Sequence, residues 1–161
     1  MSSVAPRPMT LIRGEAGDLD AVMGIMATAF SAEFGEAWTR SQCAGILPMH
    51  GVMLTIARDE RSGAVCGFSL ARTVADEAEL LLIGVAPPWR RAGVGRALLD
   101  RFIEQAERGG ATRLHLEVRD GNDAISLYRS CTFEIAGRRR NYYRGEDGQQ
   151  FDALTLVRQS K

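Results

Sequence analysis

Residues 80–99 read LLLIGVAPPWRRAGVGRALL, and this stretch decides the fold. It closes a nearly continuous apolar run, 78–86, which suits a central strand buried on both faces. Pro87 and Pro88 stop that strand. A glycine-interrupted loop rich in arginine follows. Then Val94, Ala97, Leu98, Phe102 and Ala106 recur at helical spacing, with Arg96, Asp100, Arg101, Glu104 and Arg108 on the opposite side. A strand that hands its chain to a helix N-terminus makes a site for an anion, because free backbone N–H groups and the positive end of the helix dipole point the same way. Gly93 and Gly95 let backbone approach a ligand closely. The loop is not a P-loop: it lacks GxxxxGK[ST], and Lys161 is the only lysine in the chain. Nor is it the dinucleotide fingerprint, since the third glycine is missing.

Working outward, residues 113–118 alternate, with Leu114, Leu116 and Val118 on one face and Arg113, His115 and Glu117 on the other, as a half-buried strand requires. Asp120-Gly121-Asn122 is a turn and 123–130 a short helix. Strands are expected at 133–136 and 151–157, joined by a polar, arginine-rich excursion over 137–150. Upstream, 52–58 and 64–73 read as a strand pair across the polar turn 59–63. A first strand is expected at 10–13. A helix follows, capped by Asp18 and marked by Leu19, Val22, Met23, Met26 and Phe30. A loop at 31–37 carries Glu33 and Glu36, and a second short helix spans 38–47. The order is strand, two helices, three strands, helix, strand, helix, two strands: an α/β (α+β) sandwich with helices covering a largely antiparallel sheet.

The totals restrict the partners. A chain of 161 residues suits one domain, 1–161, with 1–9 a flexible lead-in. The formal net charge is zero, which argues against nucleic-acid binding. Cys43, Cys66 and Cys131 form no CxxC pair, and with His50 and His115 they show no metal-ligand spacing, so reduced thiols in a cytoplasmic protein and no metal are expected. No apolar run approaches the roughly 20 residues of a membrane span, and no signal-peptide core is visible at the N-terminus. A monomer or homodimer is expected.

The segment Arg90-Arg91-Ala92-Gly93-Val94-Gly95-Arg96, set between strand and helix, resembles the R/Q-x-x-G-x-G/A signature of the GNAT superfamily of acyl-CoA-dependent N-acyltransferases. Leu116-Glu117-Val118-Arg119-Asp120-Gly121-Asn122, followed by Ala124-Ile125-Ser126-Leu127-Tyr128, resembles a block of the RimI-like ribosomal-protein-alanine N-acetyltransferase family, as do Arg139-Arg140-Asn141-Tyr142-Tyr143 and Asp152-Ala153. The resemblance implies a GNAT fold: a mixed, mostly antiparallel sheet of six to seven strands with about four helices, its central strands splayed at a bulge. It also implies acetyl-CoA as cosubstrate and an amine acceptor, either a protein N-terminus or a small molecule. An acyl-CoA-binding protein without catalysis is the alternative of a different class.

The resemblance nominates residues. Arg90 to Arg96, including Ala92 and Val94, would hold the pyrophosphate. Ile83, Gly84 and Val85 would offer backbone groups to the pantetheine and thioester; Gly84 in mid-strand marks a bulge or a close approach. Asn122 would contact the cofactor, or else form an Asx-type turn. Glu117 is nominated as base, its alternative being a strand glutamate in an ion pair. Tyr128 is nominated as the acid that protonates the leaving thiolate, or else packs the helix. Glu36 would orient the acceptor amine or serve as base through water, or else is solvated. Tyr142 and Tyr143 would line the acceptor groove, or else pack the hairpin. An α-amine of pKa about 7.7–8.0 needs only a modest base, whereas lysine at about 10.4 needs a stronger one.

Overall fold

The computed structural model describes residues 8–160. Its strands are β1 (Met9–Arg13), β2 (Val52–Asp59), β3 (Val65–Val74), β4 (Glu77–Val85), β5 (Arg113–Arg119), β6 (Glu134–Arg144) and β7 (Gln150–Gln159). Its α-helices are α1 (Leu19–Ala29), α2 (Arg40–Ile46), α3 (Val94–Arg108) and α4 (Ala124–Ser130), so the element order is the one expected from the sequence. All seven strands join one sheet in the order β1-β2-β3-β4-β5-β7-β6. Neighbours are antiparallel except β4 and β5, which run parallel because α3 crosses over between them.

The apolar stripes of the helices dictate the two layers. Leu99, Phe102 and Ala106 of α3 and Tyr128 of α4 pack on Ala78, Leu80, Leu114, Leu116, Leu154 and Leu156. Val22, Ile25 and Met26 of α1, with Cys43 of α2, pack on Leu54, Ile56, Phe68, Leu70 and Leu82 from the other side. Burial of these side chains at about 25 cal/mol per Å² is what holds the layers together.

Strand β4 contributes to both cores because of a bulge. Leu70 of β3 pairs with Leu82 and Ala71 with Leu80, which leaves Leu81 as an extra residue. The side-chain alternation therefore flips between Leu80, which faces α3, and Leu82, which faces α1. The bulge is at Leu81 and not at Gly84. Glycine is needed at 84 for packing: a Cβ there would stand 2.8 Å from Cε1 of Phe68.

The splay lies on the other edge of β4. Its pairing with β5 runs from Glu77–Arg113 to Leu80–Leu116 and then ends. Beyond that point β4 stays with β3 as far as Val85, and β5 stays with β7 as far as Arg119. A wedge opens between them.

Other expectations are corrected. Met9 belongs to β1, and residues 1–7 of the expected lead-in lie outside the described residues. Asp18 stands at the N-cap of α1 but makes no side-chain cap hydrogen bond to that helix; its carboxylate instead accepts from the Glu15 N–H at 2.8 Å and closes a 3-10 turn, Ala16–Asp18. Helix α2 starts two residues later than expected, after Thr39, whose hydroxyl accepts from the Gln42 N–H while Gln42 accepts from the Thr39 N–H. The excursion at 137–150 is mostly strand. β6 continues to Arg144 because Asn141 adopts φ 53°, opening a bulge between the Arg139–Ala153 and Tyr143–Phe151 pairs. Asp152 fills that bulge by accepting from the Asn141 N–H and from Arg138.

Candidate active site

The wedge between β4 and β5 forms a cavity of ≈ 710 Å³ lined by residues 79–85 of β4, 116–119 of β5, Gly95, Asn122, Leu127, Tyr128, Tyr143 and part of the segment that follows α1. Across the gap the facing edges of Leu82 to Val85 and of Glu117 to Arg119 have no strand partner. Their N–H and C=O groups can pair with an extended ligand the way a strand would.

At one end stands the N-terminus of α3. The loop before it turns through positive φ at Arg91 (62°) and Gly93 (86°). Gly93 is the N-cap and supplies no side chain, so the first amides of the helix are left for a ligand. A Cβ on Gly93 would meet no protein atom within 4 Å, while its φ of 86° is a left-handed angle that glycine adopts freely. Gly95 lines the cavity itself; a Cβ would sit 3.5 Å from Leu127 and 3.7 Å from Val85. Arg90 also lines the cavity, with its guanidinium 3.5 Å from the Ala29 carbonyl at the end of α1. The remaining nominees of this loop do not line the cavity. Val94 is buried in the core beside Leu98, Arg96 turns back to Asp100 at 3.2 Å, and Arg91 and Ala92 do not face the cavity.

At the other end stand two carboxylates, each only 10% exposed. Glu117 accepts from the Thr155 hydroxyl at 2.7 Å and lies 3.3 Å from Arg139 Nε. Glu36 pairs with Arg119 Nε at 2.5 Å, and both its oxygens lie 3.4 Å from the Asn122 amide. Asn122 is thus committed to Glu36 and, through its own oxygen, to the Ala124 N–H at the start of α4. Both the ion pair around Glu117 and the Asx-type turn at Asn122 are realised, and both residues still line the cavity.

Tyr128 is buried against the ring of Phe133. Burial first, and then the Glu36 charge, pushes its phenol well above the ordinary tyrosine range. The Tyr143 phenol is pushed up in the same way, by burial and then by Glu36, Tyr142, Glu117 and Tyr128. Tyr142 stacks edge-on against Tyr143 at 4.9 Å and remains half exposed at the rim. The Tyr128 and Tyr143 phenols are thereby kept protonated.

Sequence reasoning missed Thr155, Arg139, Arg119 and Phe34. Thr155 stands opposite Glu117 in the β5–β7 register and Arg139 reaches Glu117 from β6, pairings that no local sequence signal sets. Arg119 and Phe34 become visible only once the loop after α1 is placed. That loop docks backbone-to-backbone on the β6–β7 turn: the Glu146 N–H donates to the Ala32 carbonyl at 3.1 Å. Gly35 leaves no room for a Cβ against Arg144, and Gly145 none against Glu33. Among the described residues, no three His, Cys, Asp or Glu side chains gather as a metal site needs.

The family model of the acetyltransferase (GNAT) family matches residues 19–133. The chain belongs to the GNAT acetyltransferase family. It is similar to the [ribosomal protein bS18]-alanine N-acetyltransferase of Escherichia coli (strain K12), 43% identical over 98 residues that make up 60% of this chain and 66% of that protein, just under two thirds of the relative's length. It is 30% identical over 143 residues to the protein of the same name from Haemophilus influenzae, covering 84% of this chain and 98% of that one. Among solved structures, the ribosomal-protein-S18-alanine N-acetyltransferase from Escherichia coli superposes with a TM-score of 0.82 at 34% identity, covering 93% of this chain and 92% of the other. The seven-stranded mixed sheet with four helices is the GNAT fold.

Proposed function

We propose that the chain works as one acetyl-CoA-dependent N-acetyltransferase domain that acetylates the N-terminal α-amine of a protein, with an alanine terminus as the preferred acceptor. The observation that carries this reading is a single cavity with two unlike ends. Unpaired amides and Arg90 stand at one end, and two shielded carboxylates with buried phenols stand at the other. An anion-tailed thioester and an amine acceptor are what those ends suit. The volume matches this, being in the range of cavities that enclose a drug-sized ligand.

The residues then divide the work. The α3 amides hold the pyrophosphate, and the open edge of Ile83, Gly84 and Val85 pairs with the pantetheine amides. Acetyl-CoA, when bound, supplies the thioester carbon as acyl donor. Glu117 takes the proton that the attacking amine must lose, directly or through one water. Thr155 and Arg139 fix the carboxylate in place. As the C–N bond forms and the C–S bond breaks, Tyr128 gives its proton to the departing sulfur. Glu36 orients the amine, and Tyr142 and Tyr143 flank the entering chain. The names of the relatives point to a ribosomal protein as acceptor.

Incubation with acetyl-CoA and an alanine-starting peptide tests the proposal by the rate of thiol release. Release that depends on the peptide supports it. Release only with amino acids or polyamines, or tight CoA binding with no release, overturns it.

A further inference from the structure

The geometry points to Arg119 as the positioning residue of the acceptor subsite: one guanidinium clamps both Phe34 and Glu36 of the loop after α1 onto the end of β5. This inference rests on the reading of Glu36 as the acceptor's partner and deepens it.

Three contacts converge on the side chain. Arg119 Nε meets Glu36 Oε1 at 2.5 Å. Arg119 Nη1 donates to the Asp120 carbonyl at 3.3 Å. The flat face of the guanidinium lies 3.6 Å from the centre of the Phe34 ring. That ring is itself held edge-on by Phe151 of β7 at 5.2 Å. Arg119 is 13% exposed, so the pair is shielded from the solvent screening that weakens surface ion pairs. Edge and face of one planar cation are used at once, which a lysine cannot do.

This arrangement has a chemical consequence. Oε1 of Glu36 is committed to Arg119, while Oε2 receives only the long Asn122 contact at 3.4 Å. Oε2 is therefore the oxygen presented to an acceptor N–H. Because the Arg119 guanidinium offsets part of the Glu36 charge, the subsite offers an amine a directed hydrogen bond and not a full negative charge. It thereby favours the neutral primary amine that attacks over an ammonium. Arg119 acts through Glu36 and Phe34, with no place in the proton transfers assigned to Glu117 and Tyr128.

The test compares the parent protein with Arg119→Met and Arg119→Lys. With an alanine-starting peptide and acetyl-CoA, the methionine variant should raise the peptide KM by about 10-fold or more, with lysine recovering part of the loss and the acetyl-CoA KM staying within about twofold. An unchanged peptide KM, or an equal rise in both KM values, overturns the inference. A second measurement needs no acceptor. A glutamate-specific protease should cut after Glu36 about 10-fold faster in the methionine variant, because the loop opens more often. Parent-like cleavage overturns the clamp. If the parent releases no thiol with any peptide, the acceptor reading fails on that result alone, and the cleavage rates still decide whether Arg119 holds the loop.

Discussion

Glu117 and Glu36 show how a residue's neighbours decide what it can do. Each is nearly buried, and each has an arginine and a neutral donor on its oxygens. Without those partners a carboxylate so shielded would be costly to keep charged. With them it stays an acceptor beside the wedge. Glu117→Gln keeps the shape and removes the basic oxygen, so kcat should fall by about 10²-fold with acetyl-CoA binding intact. Steady-state kinetics beside calorimetric titration with CoA checks this, and an unchanged kcat would remove Glu117 from the chemistry. Tyr128 gives a pH prediction. Burial raises its phenol above the usual value, so it remains protonated throughout the range in which the acceptor amine loses its proton. The peptide kcat/KM should rise with pH through a midpoint at the α-amine pKa of about 7.7–8.0, level off by about pH 9, and show no fall before about 10. A decline between those values would show that some other acid is in use. Glu117 and Tyr128 were readable as types in the sequence. The partners of Glu117 and Glu36 were not, because Thr155, Arg139 and Arg119 reach these carboxylates by tertiary packing across strands and loops.

Helix α3 and its loop are the element most legible in sequence, since strand, break, glycines and amphipathic stripe are all local signals. The structure separates the two glycines that the pattern treats alike. Gly93 is required by φ 86°, whereas Gly95 borders the cavity at ordinary contact distance from Leu127 and Val85. Gly95→Val should therefore weaken acetyl-CoA binding by at least about 10-fold, with thermal unfolding shifted by only a few degrees. Gly93→Val should weaken binding and also destabilise by about 1–2 kcal/mol, because a branched residue is forced into a left-handed backbone. Calorimetry with CoA and thermal melts distinguish the two effects; equal melting losses in both variants would contradict the division. The bulge in β4 shows the limit of local reading. Gly84 suits either a bulge or a close approach; it serves the close approach, to Phe68, and Leu81 is the extra residue, a fact set by register with β3.

At the scale of the molecule, the sheet is closed on one face by α3 and α4 and on the other by α1 and α2, and it is left open along the wedge between β4 and β5. The site draws on distant parts of the chain: Glu36 after α1, Arg90 before α3, Glu117 on β5, Tyr143 on β6 and Thr155 on β7. The two segments whose sequence is least regular, 31–38 and 137–150, meet at Gly35 and Gly145, and their pairing shapes the side of the cavity that holds Glu36. Nothing local in either segment announces the other, which is why that side of the cavity was the least readable part of the chain. Gly35→Ala or Gly145→Ala forces these backbones apart. Either should raise the peptide KM more than the acetyl-CoA KM, and an equal change in both would mean that the docking does not shape the acceptor site.

The central claim is that this cavity joins acetyl-CoA to an N-terminal α-amine. Fragmentation mass spectrometry decides it on an alanine-starting peptide that also carries an internal lysine, after incubation with the protein and acetyl-CoA. The account predicts one acetyl group, located on the alanine α-amine, and none on a peptide with a blocked N-terminus. Acetylation confined to the lysine side chain, or no acetylated peptide at all, would contradict it.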